Sequence, residues 1–261
     1  MITPDEPAGQ GRELHVRYTA ADVCVLTDEE ASRFVPAGDG DPQADVALAW
    51  ELLYRLEPDL YDRLISCERL HPQLIDWLPG SADRIVEVGA GTGRLTMELL
   101  DRGREVLAIE PAEGLRRILI RKLARADLRH CARVSHGFFD DLPVPDDFAD
   151  LVVACSAFTS APGHGGEAGL AEMERVCRPG GCVAIIWPND VDWLVARDYQ
   201  YLAFAGQMSM EFSSLREASE LAEIFYPRAA GEVRRRGSPR VPYQVLGVNP
   251  PRDVAFKVMT S

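Results

Sequence analysis

Between about Asp45 and Leu78, apolar residues recur at helical spacing, as Val46, Leu48, Ala49, Leu52, Leu53 and Leu56, then Leu60, Tyr61, Leu64 and Ile65. Pro58 cannot continue a helix from within, so the pattern predicts two helices divided there. A short third helix around Leu74 to Leu78 is stopped by Pro79-Gly80. Upstream, residues 1–45 read as a leader. It holds a strand-like stretch from Glu13 to Tyr18, a short apolar run from Val23 to Leu26, and a Gly/Asp/Pro-rich link from Pro36 to Pro42.

The pattern then changes period. Short β-branched runs alternate with amphipathic segments of helical length, which is the signature of parallel strands joined by crossover helices. Strands are predicted over Arg84–Val88, Glu105–Glu110, Ala132–Phe138, Ala149–Cys155 and Gly181–Trp187. Helices are predicted over Thr92–Arg102, Glu113–Arg125 and Glu167–Cys177. A long helical region is expected over Val191–Phe225. Two closing strands, Val241–Val248 and Asp253–Met259, are joined so tightly by Asn249-Pro250-Pro251-Arg252 that they should pair antiparallel.

Composition narrows the class of partner. The 261 residues carry a formal charge of −13, and a surface that acidic repels phosphate backbones and anionic membranes. No apolar run approaches the length of a membrane span, and no secretion signal is evident in MITPDEPAGQ. The six cysteines lack C-x-x-C spacing and several lie in apolar runs, which suits reduced thiols in a cytoplasmic protein. No cluster with metal-ligand spacing is seen, so no metal is expected.

The chemistry concentrates where the first strand runs into Glu87-Val88-Gly89-Ala90-Gly91-Thr92-Gly93 and a helix begins at once. Glycine permits a sharp turn and close approach of a ligand. The helix start adds free N–H groups. Parallel sheets bind ligands at this carboxyl edge. A dinucleotide fingerprint, G-x-G-x-x-G, would need glycine at position 94, where Arg94 stands. What stands is G-x-G-x-G with an acid two residues before the first glycine.

That segment resembles motif I of the class I S-adenosylmethionine-dependent methyltransferases. Further segments follow in the family's order: Glu110 ending the second strand, Gly137-Phe138-Phe139-Asp140-Asp141-Leu142-Pro143, Phe148-Ala149-Asp150-Leu151-Val152 opening the fourth strand, and Arg175-Val176-Cys177-Arg178-Pro179-Gly180-Gly181 before the fifth. The resemblance covers roughly residues 82–188. It implies an α/β, Rossmann-like, seven-stranded sheet of order 3-2-1-4-5-7-6, with the last strand antiparallel. It also implies a single methyltransferase domain over 1–261. Within it, 1–80 would be leader and lid helices, 81–190 the cofactor-binding core, and 191–261 cap helices and a C-terminal hairpin, with the helical insertion between strands five and six.

By the same resemblance, Glu87, Gly89, Ala90, Gly91 and Gly93 should shape the cradle for S-adenosylmethionine, with S-adenosylhomocysteine as product. Glu110 should accept hydrogen bonds from the ribose hydroxyls. Pro111, Cys155 and Tyr61 are further expected cofactor contacts. The family often has Gly-Asp-Ala where Gly137-Phe138-Phe139 stands here. Either Asp140 takes the adenine amine with Phe139 on the ring face, or both phenylalanines are core and a backbone carbonyl serves.

Methyl transfer needs geometry and desolvation more than one shared catalytic residue. His164, in the loop after the fourth strand, is the candidate general base. The expected acceptor is a small molecule, methylated on oxygen first and on nitrogen or carbon next. Three alternatives stand beside it: a nicotinamide oxidoreductase, a protein of this fold that binds the cofactor for other chemistry or for sensing, and a methyltransferase acting on RNA or protein. The oligomeric state is not readable from the sequence.

Overall fold

The computed structural model describes residues 17–35, 42–79, 82–101 and 105–260. Most of the Glu13–Tyr18 stretch and of the Pro36–Pro42 link lies outside them. The chain divides into two compact units, one built from residues 1–69 with 206–250 and the other from 70–205 with 251–261.

The second unit carries the sheet. Its strands are β1 (Ile85–Val88), β2 (Val106–Ile109), β3 (Ala132–Ser135), β4 (Ala149–Cys155), β5 (Cys177–Ile186), β6 (Gln200–Ala203) and β9 (Asp253–Val258). They lie in the order β3-β2-β1-β4-β5-β9-β6. The β1–β2, β1–β4, β2–β3 and β4–β5 pairs are parallel, whereas β9 runs antiparallel to both β5 and β6. With β9 as the seventh sheet strand, this is the expected 3-2-1-4-5-7-6 order.

The central strands are apolar throughout because helices cover both faces. On one face, Leu74, Ile75 and Leu78, of and beside α4 (Pro72–Trp77), join Leu95 and Leu99 of α5 (Arg94–Leu100) and Leu119 and Leu123 of α6 (Glu113–Arg125) over Ile85, Leu151 and Val153. On the other, Leu170, Met173 and Val176 of α7 (Gly166–Val176) and Leu194 of α8 (Val191–Val195) cover Val86, Val152 and Val183.

The first unit collects the helices expected as lid and cap. It contains α1 (Asp28–Phe34), α2 (Pro42–Leu56), α3 (Pro58–Ser66), α9 (Leu215–Phe225), α10 (Pro227–Arg236) and α11 (Tyr243–Leu246). A small antiparallel pair, β7 (Ser209–Glu211) and β8 (Arg240–Pro242), completes it. Pro58 stands at the start of α3, where its missing N–H costs nothing. Thr27 and Glu30 cap α1 reciprocally. The Trp50 and Phe225 rings stack 5.8 Å apart, joining α2 to α9.

The carboxyl-terminal third departs from expectation in two places. The stretch 191–225 is not one helical region: α8 gives way to β6 and β7 before α9 begins. The strand expected over Val241–Val248 stops at Pro242, and Tyr243–Leu246 forms a single helical turn ended by Gly247 at φ 74°. The partners of β9 are therefore β5 and β6, and the longer helices enter between β6 and β9 rather than between β5 and β6. No helix among the described residues is long and apolar enough to cross a membrane.

Candidate active site

The turn after β1 is built from left-handed glycines, with φ 72° at Gly89, 57° at Gly91 and 94° at Gly93. Two of them also have no space for a side chain. A Cβ on Gly89 would lie 2.7 Å from the Ala157 Cβ and 3.3 Å from the Phe139 ring, and one on Gly93 would lie 2.4 Å from Leu119 Cδ1. The N–H groups of Gly89 and Ala90 both donate to the Ile109 carbonyl at the end of β2.

Glu110 follows directly and is buried. Its carboxylate accepts from the Gly91 N–H at 2.9 Å and the Ala112 N–H at 2.8 Å. Its own N–H donates to Ser135 at the end of β3. Arg116 reaches back to the carbonyls of Glu110 and Pro111. One carboxylate thus ties the glycine turn to the entry of α6.

Glu87, in β1, lies beneath the turn with 1% of its surface exposed. It accepts a 2.6 Å bond from the Thr96 hydroxyl of α5. Burial pushes its carboxyl up to about 8, with Thr96 and Arg94 drawing it back and Glu110 pushing it further. Arg94 crosses the same edge. It donates to Cys155 Sγ at 3.3 Å, at the end of β4, and its guanidinium lies 5.5 Å from the centre of the Trp187 ring just past β5. Phe139 is half-buried above Gly89 and meets Phe158 edge-on at 5.3 Å.

The family described as a methyltransferase domain matches residues 85–181, the stretch from β1 into β5. An uncharacterized methyltransferase of Mycobacterium tuberculosis is 34% identical over 118 residues, 44% of either chain. A biotin biosynthesis bifunctional protein of Cellvibrio japonicus is 27% identical over 162 residues, 58% of this chain and 31% of that one. The chain spans less than half the length of these relatives. In a Haloferax volcanii complex with the Trm112 methyltransferase activator, the partnered chain shares the fold at TM-score 0.50 and 18% identity, over 81% of this chain and 96% of its own. Residues 85–181 thus carry a methyltransferase domain.

The residues of this methyltransferase domain fit S-adenosylmethionine as the cofactor. A vicinal diol needs an acceptor with two oxygens, as a carboxylate has, and bonds from the Gly91 and Ala112 N–H groups fix the Glu110 carboxylate. They also hold that carboxylate beside the glycine turn before any ligand arrives.

Of the residues expected from the sequence, Glu87, Gly89, Ala90, Gly91, Gly93, Glu110, Pro111, Phe139 and Cys155 all stand at the carboxyl edge of the sheet. Phe138 is buried core, edge-on to the exposed His136, while Asp140 is exposed. His164 ends a single 3₁₀ turn after β4, its carbonyl accepting from Thr159 and its N–H donating to Ala161. Tyr61 lies in the first unit, edge-on to Tyr54 at 4.7 Å.

Sequence reading passed over Thr96 and Ala157. Arg94 was in view only as the residue that breaks the dinucleotide pattern. Its reach to β4 and β5 follows from the strand order, which places β4 beside β1 and β5 next beyond it.

Proposed function

We propose that this protein transfers a methyl group from S-adenosylmethionine to a small organic acceptor, on oxygen first and on nitrogen or carbon next. The observation that carries this reading is the Glu110 carboxylate fixed on the Gly91 and Ala112 N–H groups at the mouth of the glycine turn. Glu110 accepts from the ribose hydroxyls, and Phe139, poised over Gly89, lies against the adenine with Asp140 next to it in sequence. Glu87 and Thr96 hold the turn from below.

Bound S-adenosylmethionine supplies an electrophilic methyl on a sulfonium. The chain's share is to orient that group and to exclude water from the approach of the nucleophile. His164 takes the proton of a hydroxyl acceptor. The net charge of −13 favours a small acceptor over nucleic acid. Six free cysteines suit a reducing, cytoplasmic setting.

The test is parallel calorimetric titration of the purified protein with S-adenosylmethionine, S-adenosylhomocysteine and NAD. Micromolar binding of the two adenosyl compounds and none of NAD is expected. Binding of NAD alone would overturn the cofactor reading. Release of S-adenosylhomocysteine on incubation with acceptor candidates then separates a transferase from a protein that only binds the cofactor.

A further inference from the structure

At the carboxyl edge of the sheet, three successive carbonyls at the start of β9 each accept one N–H from a different element. Pro251 takes that of His71 at the head of α4, Arg252 that of Phe204 just past β6, and Asp253 that of Trp187 just past β5. One short segment thus fixes three residues that carry flat rings. Trp187 and Phe204 are half-buried and pack on the core layer of Leu74, Ile186 and Val254.

Two features set these rings apart from ordinary core. Side chains alternate along a strand, so Trp187 should follow Ile185 to the α7 face. Instead its φ of 53°, in a region that non-glycine residues avoid, carries the indole to the face of Ile186. Strain of this kind persists only where the surroundings enforce it, and it clusters at functional sites. His71 is the second. It stands at the cap of α4, yet its side chain makes no capping bond. Its ring stacks on Phe204 at 5.7 Å and 14°. The residue is 9% exposed, and its Nδ1 is buried with no hydrogen-bond partner among the described residues. A buried nitrogen left so is costly unless a bound group satisfies it.

We propose that this ring cluster is the subsite for the methyl acceptor and that it selects a flat aromatic molecule, whose ring hydroxyl donates to His71 Nδ1. The inference rests on the reading that the glycine turn and Glu110 hold the cofactor. Those stand at the ends of β1 and β2, whereas β5, β9 and β6 lie beyond β4 on the other side of β1. The start of β9 is two strand spacings, about 10 Å, past the end of β4. That part of the edge belongs to neither Glu110 nor the glycine turn, and it is the part left to an acceptor. Indole and phenyl groups favour an aromatic partner, offset or edge-on, beyond what its buried area alone supplies.

The experiment measures probe binding by equilibrium dialysis to protein saturated with S-adenosylhomocysteine, once calorimetry has established that saturation. The probes are 2-naphthol, 2-methoxynaphthalene (its hydroxyl blocked) and decahydro-2-naphthol (the same skeleton, not flat). Wild type should bind 2-naphthol at least tenfold more tightly than either of the others. Phe204→Leu should abolish the preference for the flat ring. His71→Phe should keep that preference and lose the one for a free hydroxyl, with thermal unfolding as the check on folding. A wild type that binds 2-naphthol no more tightly than decahydro-2-naphthol overturns the proposal, whether or not the variants fold. So do preferences that both folded variants retain in full. A wild type that does not take up S-adenosylhomocysteine overturns the cofactor reading and this inference with it.

Discussion

The Thr96 hydroxyl donates to Glu87 at 2.6 Å, joining α5 to β1 directly beneath the glycine turn. A carboxyl this deeply buried is costly to ionise, and its folded value near 8 stands well above that of an unfolded chain. The folded state therefore binds the extra proton, and the stability that Glu87 contributes is full below about pH 4.5 and lost as pH rises through 8. Wild-type protein should lose on the order of a few kcal/mol across that window, and Glu87→Gln should flatten the slope. Denaturant titrations at pH 5, 6.5 and 8 check this; parallel pH profiles for the two proteins would refute it.

Glu110→Ala should weaken S-adenosylhomocysteine by about 1–3 kcal/mol, the scale of hydrogen bonds to a charged group. Glu110→Gln keeps one acceptor oxygen and should lose less. Calorimetry on both variants decides it, and undiminished affinity in the alanine variant removes Glu110 from the ribose.

Gly89→Ala meets both a left-handed backbone and a Cβ placed 2.7 Å from Ala157. A loss of about 1–3 kcal/mol is expected. Adding Ala157→Gly clears that contact and should restore part of the loss, while the strain at φ +72° remains. A double variant no more stable than Gly89→Ala would show that the Phe139 ring or the backbone sets the whole cost.

In the first unit, Arg55 pairs with Glu30 at 2.8 Å and with Glu51, all three side chains being largely buried. Arg55→Ala leaves two carboxylates together in a poorly solvated place, and about 3 kcal/mol or more of stability should go. Replacing Arg55, Glu30 and Glu51 together by apolar residues should cost far less. Equilibrium unfolding of the single and triple variants distinguishes the two outcomes.

Burial pushes the thiols of Cys67 and Cys177 up to about 12 and that of Cys182 up to about 11. Iodoacetamide attacks the thiolate, so at pH 8 the native protein should be alkylated at exposed Cys24 well before these three. Peptide mass mapping over time reads the order, and early labelling of Cys177 or Cys182 would contradict their burial.

The central strands β1 and β4 were legible because they are continuous apolar runs covered on both faces. Ala149–Cys155 and Glu113–Arg125 begin and end where the pattern places them. Gln200–Ala203 was not legible, since an edge strand of four residues, three of them exposed, has no apolar run to betray it. Val241 to Val248 misleads in the opposite way. Its apolar residues alternate like a strand, but Pro242 and the left-handed Gly247 bracket one helical turn. At the site, Glu87, the glycines and Glu110 are readable because they adjoin in sequence or follow strand ends. The meeting of Arg94 with Trp187 depends on the sheet order and on a side chain spanning strands, which no local pattern encodes.

The place of β9 between β5 and β6 has a consequence for how the chain is made. On a ribosome, β1 through β5 emerge and can pair in turn, whereas β6 waits about fifty residues for the strand that separates it from β5. Until then the outer side of β5 is an open edge, and unpaired edges in slowly completed sheets are where nascent chains aggregate. The half of the sheet that bears the glycine turn and Glu110 is thus assembled early, and the half beyond Trp187 is sealed late by a single strand.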